Sequence, residues 1–424
     1  MRMLLLSVMA LIVSFALLLA GNSLQFVVLG LRADLEGFSL PTIGWISAAY
    51  FAGFGLGALL APRVVWIAGH IRTFAAFGSI VSGIALAHAL IVDPYAWALM
   101  RFVTGFCFAG LYIVVESWLN ARADNRYRGR LLSLYGSAAF VGYIVGPIIS
   151  GLAPASGFDL FVIASIMFSF ALVPITLTRA SAPVVEEPTK ANSFGLIWLF
   201  RETPLGVIGI GVISAGQGAF LGLGSTFGAR MGLDAESIAG FMSVAMFCGL
   251  LFQFPIGWLS DRFDRRAVIL SVALFGALGS GLVWFLLEPG DVAWPLLLLT
   301  AAVIGTSIFP LYAVMLAYTN DRLPKTSLVG VAAALSLTYS FGSVIGTPLA
   351  SFFMEAAGPS GFALFLSLIL WGLAGFTIFR MIWRKAPVTQ DDWSLATVAA
   401  SPGTIPLDPA AAGDQDRAAP VQDK

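Results

Sequence analysis

Runs of about 20 apolar residues, separated by short gaps that hold nearly all of the charge, dominate this chain of 424 residues. In hydrocarbon such a run must satisfy its own backbone N–H and C=O groups, and unbroken apolarity without alternation selects the helix over the barrel strand. Twelve runs are predicted as spans, near 4–30, 42–62, 74–92, 95–118, 131–152, 158–178, 204–228, 237–258, 268–287, 293–316, 329–352 and 361–382. At 58% hydrophobic and 11% charged residues, a water-soluble fold would lack the charged surface to stay dispersed. The expectation is an all-α membrane protein with twelve transmembrane helices, the bilayer being its solvent.

Charge placement predicts the orientation. Of 23 lysines and arginines, all but Arg32, Arg101 and Arg230 fall at the chain ends or in the gaps that share a side with the N-terminus. That bias places both termini in the cytoplasm of a multi-pass inner-membrane protein. Formal net charge is zero, and no basic patch with interleaved aromatics offers a footprint for nucleic acid. Cys107 and Cys248 both lie within apolar runs, which leaves no disulfide framework, CxxC metal site or other metal centre to expect. Ala16–Asn22 has the small residues of a signal-peptide cleavage site, but the apolar run continues to Leu31, so an uncleaved first span is expected. No cofactor motif is present.

The two halves repeat. Gly105, Leu111, Tyr112, Val114, Asn120 and Arg122 recur 200 residues on as Gly305, Leu311, Tyr312, Val314, Asn320 and Arg322, and Gly142 and Gly146 recur as Gly342 and Gly346. Six spans per half keep both halves in the same orientation, a parallel duplication about an axis along the membrane normal. The expected organisation is a six-helix bundle over 1–178, a cytoplasmic connector over 179–203, a second bundle over 204–385 and a disordered cytoplasmic tail over 386–424.

In the gap after the eighth span, Gly257-Trp-Leu-Ser-Asp261-Arg262-Phe-Asp264-Arg265-Arg266 resembles the G-x-L-x-D-R-x-G-R-R signature of major facilitator superfamily transporters, with Asp264 at the second glycine. After the second span only Gly69 and Arg72 of that signature remain, because Pro62 and Trp66 replace its first glycine and its aspartate. Arg101-Phe-Val-Thr-Gly105 is similar to the family's R-x-x-x-G pattern in span 4. Gly142-x-x-x-Gly146-Pro147 is similar to the span-5 pattern of drug and proton antiporters, a spacing that helix packing alone also favours. Val114-Val-Glu116-Ser-Trp, followed by Arg128-Gly-Arg130, resembles the YcaD-like branch. The resemblance implies a non-enzymatic secondary transporter that works by alternating access, and with nothing in the sequence asking for an oligomer a monomer is expected. Proton-coupled export of a small organic molecule is implied first; uptake of a small anionic metabolite is the alternative, and a non-transporting sensor or lipid-handling protein is the competing class.

Ionisable groups within a span normally face a cavity or a partner. In span 4, Arg101, Gly105, Phe108, Tyr112 and Glu116 fall on one stripe of the helix, with Arg101 and Glu116 about 22 Å apart. The family resemblance makes this stripe a lining of the transport path. Arg101 could bind an anionic substrate group, hold the field for a proton step or cap carbonyls of a neighbouring helix. Glu116, replaced by Leu316 in the repeat, could bridge to Arg122, Arg128 or Arg130, carry a proton or substrate charge, or sit solvated at a helix end. Asp261 is expected to pair across the halves or with a helix N-terminus, within a gating cluster of Arg262, Arg265 and Arg266. Asn22, Gln25 and Gln217 are candidates for hydrogen bonds to substrate, with interhelical hydrogen bonding as the alternative. Tyr112 and Tyr312 are expected to face each other across the pseudo-two-fold axis. His88 is read as structural.

Overall fold

The computed structural model describes residues 2–122, 128–177, 195–287, 289–290, 292–323 and 328–383. The first half holds α1 (Arg2–Leu35), α2 (Leu40–Ala68), α3 (His70–Leu90), α4 (Pro94–Arg122), α5 (Arg128–Ser150) and α6 (Asp159–Thr176). A seven-residue α7 (Leu196–Glu202) precedes the second half: α8 (Pro204–Arg230), α9 (Ala235–Arg262), α10 (Arg265–Leu286), α11 (Trp294–Asn320), α12 (Leu328–Ala357) and α13 (Gly361–Trp383). Ten of these are long and apolar enough to cross a membrane, and α5 contributes the shorter apolar stretch Leu134–Ser150. All twelve expected spans fall on long helices, several of which run past the apolar stretch. The last turn of α1, for example, carries Arg32 out beyond the expected end at residue 30. The tail at 386–424 and the greater part of the 179–203 connector lie outside the described residues.

Polar side chains start several helices. Ser39 Oγ accepts from the Thr42 N–H ahead of α2, Asp234 Oδ1 from the Ser237 N–H (2.9 Å) ahead of α9, and Asp264 Oδ1 from the Arg266 N–H (2.9 Å) ahead of α10. Gly69, at φ 81°, makes the left-handed link between α2 and α3.

Packing within the halves follows one plan. In the first, α2 lies on α4, α1 on α5 and α6, and α3 on α4 and α6; in the second, α9 lies on α11, α8 on α12 and α13, and α10 on α11 and α13. The repeated glycines are the points of closest approach. A Cβ on Gly105 would land 1.9 Å from the Tyr50 carbonyl oxygen, and one on Gly305 2.0 Å from that of Ala245. Gly142 and Gly146 bring α5 against the carbonyls of Ala16 and Ala20, whereas Gly342 and Gly346 bring α12 against those of Gly211 and Ala215. The partners of these glycines are thus related by an offset of 195 residues, against 200 for the glycines themselves. Asn22 and Gln217 share the shorter offset and occupy equivalent places on α1 and α8.

The halves meet through α1 with α8, α2 with α8 and α12, and α5 with α9. The described hydrogen bonds that join them run from Ser47 Oγ to Gly222 O (3.1 Å), Thr226 Oγ1 to Gly30 O (3.2 Å), Ser243 Oγ to Ile144 O (3.1 Å) and Arg230 Nε to Asp34 Oδ1 (2.5 Å). Each lies in the half of the molecule reached by the C-terminal ends of α1 and α8, which is the arginine-poor face. There Gly30 packs against Ser225, and Gly44 against Ser351 and the backbone of Pro348. The two arginines on this face are both neutralised: Arg230 by Asp34, and Arg32 by Glu36 (2.7 Å) and the backbone carbonyl of Ser156.

Candidate functional site

Where the halves close on each other, Phe26, Tyr50, Phe51, Phe54, Tyr112, Tyr143, Leu221 and Tyr339 line a small, nearly closed central chamber with room for little more than a water molecule. Its walls come from α1, α2, α4 and α5 of the first half and α8 and α12 of the second. Six of them, all but Tyr143 and Leu221, are 5% exposed or less, and Tyr50, Tyr112 and Tyr339 meet Phe26, Phe54 and Phe51 edge on. Such rings offer an apolar body with hydroxyls at the edge, a surface suited to a flat, partly apolar molecule.

The span-4 stripe runs along one wall. Arg101 is 1% exposed, and its guanidinium carbon lies 4.1 Å from the centre of the Phe26 ring and 4.4 Å from that of Tyr50. One turn on, Gly105 has no side chain to hold α2 away, and Phe108 packs near Tyr50 and Phe168. The Tyr112 hydroxyl stands 3.3 Å from that of Tyr143, its ring edge on to Phe15 and Phe54. At the far end Glu116 Oε1 accepts from the Tyr135 hydroxyl at 2.8 Å, and the Tyr135 ring stacks on Phe15 at 4.6 Å. Arg101 and Glu116 are therefore joined by a continuous run of aromatic side chains from α1, α2, α4 and α5. The side chains of Arg122, Arg128 and Arg130, considered above as partners of Glu116, lie outside the described residues.

Asn22 Nδ2 donates to the Tyr50 hydroxyl at 3.1 Å, and Asn22 also stands within hydrogen-bonding reach of Tyr143. Gln25, 1% exposed, has no described hydrogen-bond partner on either side-chain atom. Gln217 is turned into its own half, where Nε2 donates to the Ile308 carbonyl at 2.8 Å. Tyr112 lines the chamber, while Tyr312 lies outside its lining and packs edge on against Tyr339, which is a wall, at 5.5 Å. His88 Nδ1 lies 2.8 Å from the Ile84 carbonyl, one turn back on its own helix. Among the described residues no group of three or more His, Cys, Asp or Glu could hold a metal ion.

The signature cluster at the arginine-rich end closes within the second half. Arg265 bridges Asp261 (3.2 Å) and Asp321 (2.6 Å), and so ties the ends of α9 and α11 to the start of α10. Asp264, the departure from the family's glycine, caps α10 and pairs with Arg266 at 2.7 Å. The hydrogen bonds from Arg266 hold its carboxyl below the usual carboxylate range. Arg262 lies over the Trp258 ring at 4.2 Å. Nothing stands within 4 Å of where a Cβ on Gly257 would lie, so close packing does not explain that glycine. Gly142 and Gly146 seat α5 on α1, and the Pro147 carbonyl accepts from Ser150 Oγ at 2.6 Å.

Sequence reasoning did not single out Phe26, Tyr50, Tyr143, Tyr339 or the Asp34–Arg230 pair. Its one available signal was that most of the nine tyrosines lie in apolar runs.

Comparison with known proteins follows the same lines. The family model described as Major Facilitator Superfamily matches residues 4–251 and 207–407. An uncharacterized MFS-type transporter of Enterobacter sp. (strain 638) is 27% identical over 353 residues, 82% of this chain and 88% of that protein. The uncharacterized MFS-type transporter YcaD of Escherichia fergusonii is 27% identical over 83% of this chain and 89% of its own. Among solved structures, the nucleoside transporter NupG superposes with a TM-score of 0.70 at 15% identity, covering 91% of this chain and all of that one. A bacterial homolog of the human lysosomal transporter Spinster, inward-facing and unoccupied, gives 0.65 at 15% identity over 88% and 94% of the two chains. With two six-helix halves packed on one plan and a family match running through both, the chain belongs to the major facilitator superfamily and is similar to its YcaD-like members.

Proposed function

We propose that this membrane transporter is a secondary active carrier that exports a small organic molecule, driven by the proton gradient, with the central aromatic chamber as its binding site. The moving bodies are residues 1–178 and 204–385, joined by a cytoplasmic connector at 179–203 and followed by a cytoplasmic tail at 386–424. The working unit is a monomer. The observation that carries the reading is the chamber itself, which takes walls from both halves and lies beside a seam whose hydrogen bonds all fall on one side. With both termini cytoplasmic, the sealed side is the outside and the geometry is outward-closed. Rocking of the halves about the chamber would break the Gly30–Thr226 and Asp34–Arg230 contacts and expose the same walls to the other compartment.

Glu116 supplies the proton-carrying group in this reading. It is 5% exposed, it is peculiar to one half, and the aromatic run connects it to Arg101. Export is supported by the Gly142-Gly146-Pro147 pattern. The test is proton flux in proteoliposomes with an imposed pH gradient, across a library of small organic compounds. A compound that discharges the gradient with wild-type protein but not with Glu116→Gln supports coupled transport. Compounds that bind the purified protein yet never move protons or themselves would overturn it.

A further inference from the structure

Several of the described buried polar atoms left without a partner belong to Arg101 and to the stretch of α1 around Phe26, the residue whose ring it contacts. Arg101 Nη1 and Nη2 both lack a hydrogen-bond partner in a side chain that is 1% exposed. On the adjoining face of α1, Asn22 Oδ1 is also unpartnered, although Asn22 Nδ2 is engaged by Tyr50, and Gln25 leaves both its side-chain atoms free. A guanidinium buried with neither counter-ion nor acceptor is unfavourable, and proteins retain such a group where something else completes it. Cation–π contact with Phe26 and Tyr50 holds the flat face of Arg101 but leaves the N–H edge unsatisfied. Both rings are also walls of the chamber, whereas Arg101 stands behind them and reaches it only as they move apart.

We infer that the transported molecule is an aromatic monocarboxylate. Its carboxylate takes the paired N–H groups of Arg101 and, as the halves part and the closed chamber widens, its ring lies against Tyr50, Tyr112 and Tyr339. Two parallel N–H donors match a carboxylate edge, the arrangement for which arginine is better shaped than lysine. The charge count selects the single carboxylate: one buried cation neutralises one negative charge, whereas a dianion would leave an uncompensated charge in the bilayer interior. This inference rests on the chamber being the substrate site.

The test uses the full-length protein in detergent, with apparent melting temperature as the readout and benzoate, benzamide, chloride and phosphate as probes at constant ionic strength. Benzoate is expected to raise the melting temperature at concentrations at least 10-fold below those needed for benzamide. Arg101→Gln removes the benzoate shift, and Arg101→Lys restores part of it. Asn22→Asp tests the same point without touching the arginine. It places a carboxylate at the hydroxyl edge of Tyr50, raises the ligand-free melting temperature and weakens benzoate at least 10-fold. Equal stabilisation by benzoate and benzamide that survives Arg101→Gln and is lost in Tyr339→Leu would overturn the carboxylate assignment while leaving the chamber as the site. Stabilisation by chloride or phosphate and not by benzoate would assign Arg101 to an inorganic anion and overturn it too. Silence from all four probes also overturns it, with the transporter reading left to the flux assay.

Discussion

The seam between α1 and α8 is close-packed enough for one methyl group to disturb it. A Cβ at Gly30 would stand 2.3 Å from Ser225 Oγ and 3.0 Å from Thr226 Oγ1, both on the opposite half. An ordinary carbon–oxygen contact needs roughly 1 Å more, so either the serine rotates or the halves separate. Ser225 Oγ has no hydrogen bond to lose on rotating, which puts Gly30→Ala at the mild end of overpacking, about 1 kcal/mol. The branched side chain of Gly30→Val cannot be cleared that way and is expected to cost about 3 kcal/mol. Those values shift the balance between sealed and open seams by roughly 5-fold and 150-fold. The alanine also improves helix propensity in α1, so destabilisation of the helix cannot account for opening. In a background lacking Cys107 and Cys248, Leu221→Cys reports from the chamber wall. Labelling by a membrane-impermeant maleimide from the arginine-poor side should accelerate in that order. Gly372→Ala, whose methyl meets nothing within 4 Å, should leave the rate unchanged. A folded Gly30→Val protein that labels at the wild-type rate would refute the claim that this seam is the barrier.

Other outcomes follow from the same geometry. Glu116→Gln keeps an acceptor for the Tyr135 hydroxyl and should melt within about 1 kcal/mol of wild type, while proton flux falls to background in the proteoliposome assay. Gly105→Ala and Gly305→Ala each drive a methyl into a backbone carbonyl 1.9–2.0 Å away, so each should lower stability by about 3 kcal/mol in detergent melts, whereas Gly257→Ala should be silent. Asp264 is held below the usual carboxylate range by Arg266. Its contribution to the α9–α10 link is therefore fully present above the ordinary carboxylate range and is lost as pH falls through the lowered value. An acid melt of Asp264→Asn should lose less stability over that interval than wild type, and an identical acid response would count against the cap.

The spans were legible in the sequence because a bilayer imposes its criterion on composition alone: each run must be long, apolar and helical. The duplication was legible for a narrower reason. Gly105, Gly142 and Gly146, with their counterparts, sit where a backbone carbonyl of the neighbouring helix leaves no room for a Cβ, so residue identity is set by geometry. The other side of those contacts is a carbonyl, which any residue supplies. Tyr50 and Ala245 could thus diverge, and the 195-residue offset linking Asn22 to Gln217 keeps only scattered identities, such as Ala20 with Ala215 and Gly21 with Gly216. The chamber was hidden for a related reason, since an aromatic residue in an apolar run reads the same whether it fills a core or lines a cavity. The partners of charged groups were equally out of reach. Asp261 is satisfied by Arg265 one turn on, and only the fold shows that Arg101 lies against the Phe26 and Tyr50 rings with no described hydrogen-bond partner at Nη1 or Nη2.

Alternating access is tested most directly by two distances measured in one sample. Spin labels at Leu35 and Glu355 report on the arginine-poor ends of opposite halves, and labels at Arg63 and Phe263 on the arginine-rich ends; all four positions are exposed. Pulsed electron resonance across a pH titration, with and without Gly30→Val, should resolve two populations for each pair. The arginine-poor pair lengthens as the arginine-rich pair shortens, in matched proportion. Single, unchanging distances on both faces, or two faces that open together, would contradict a carrier whose halves rock about the aromatic chamber.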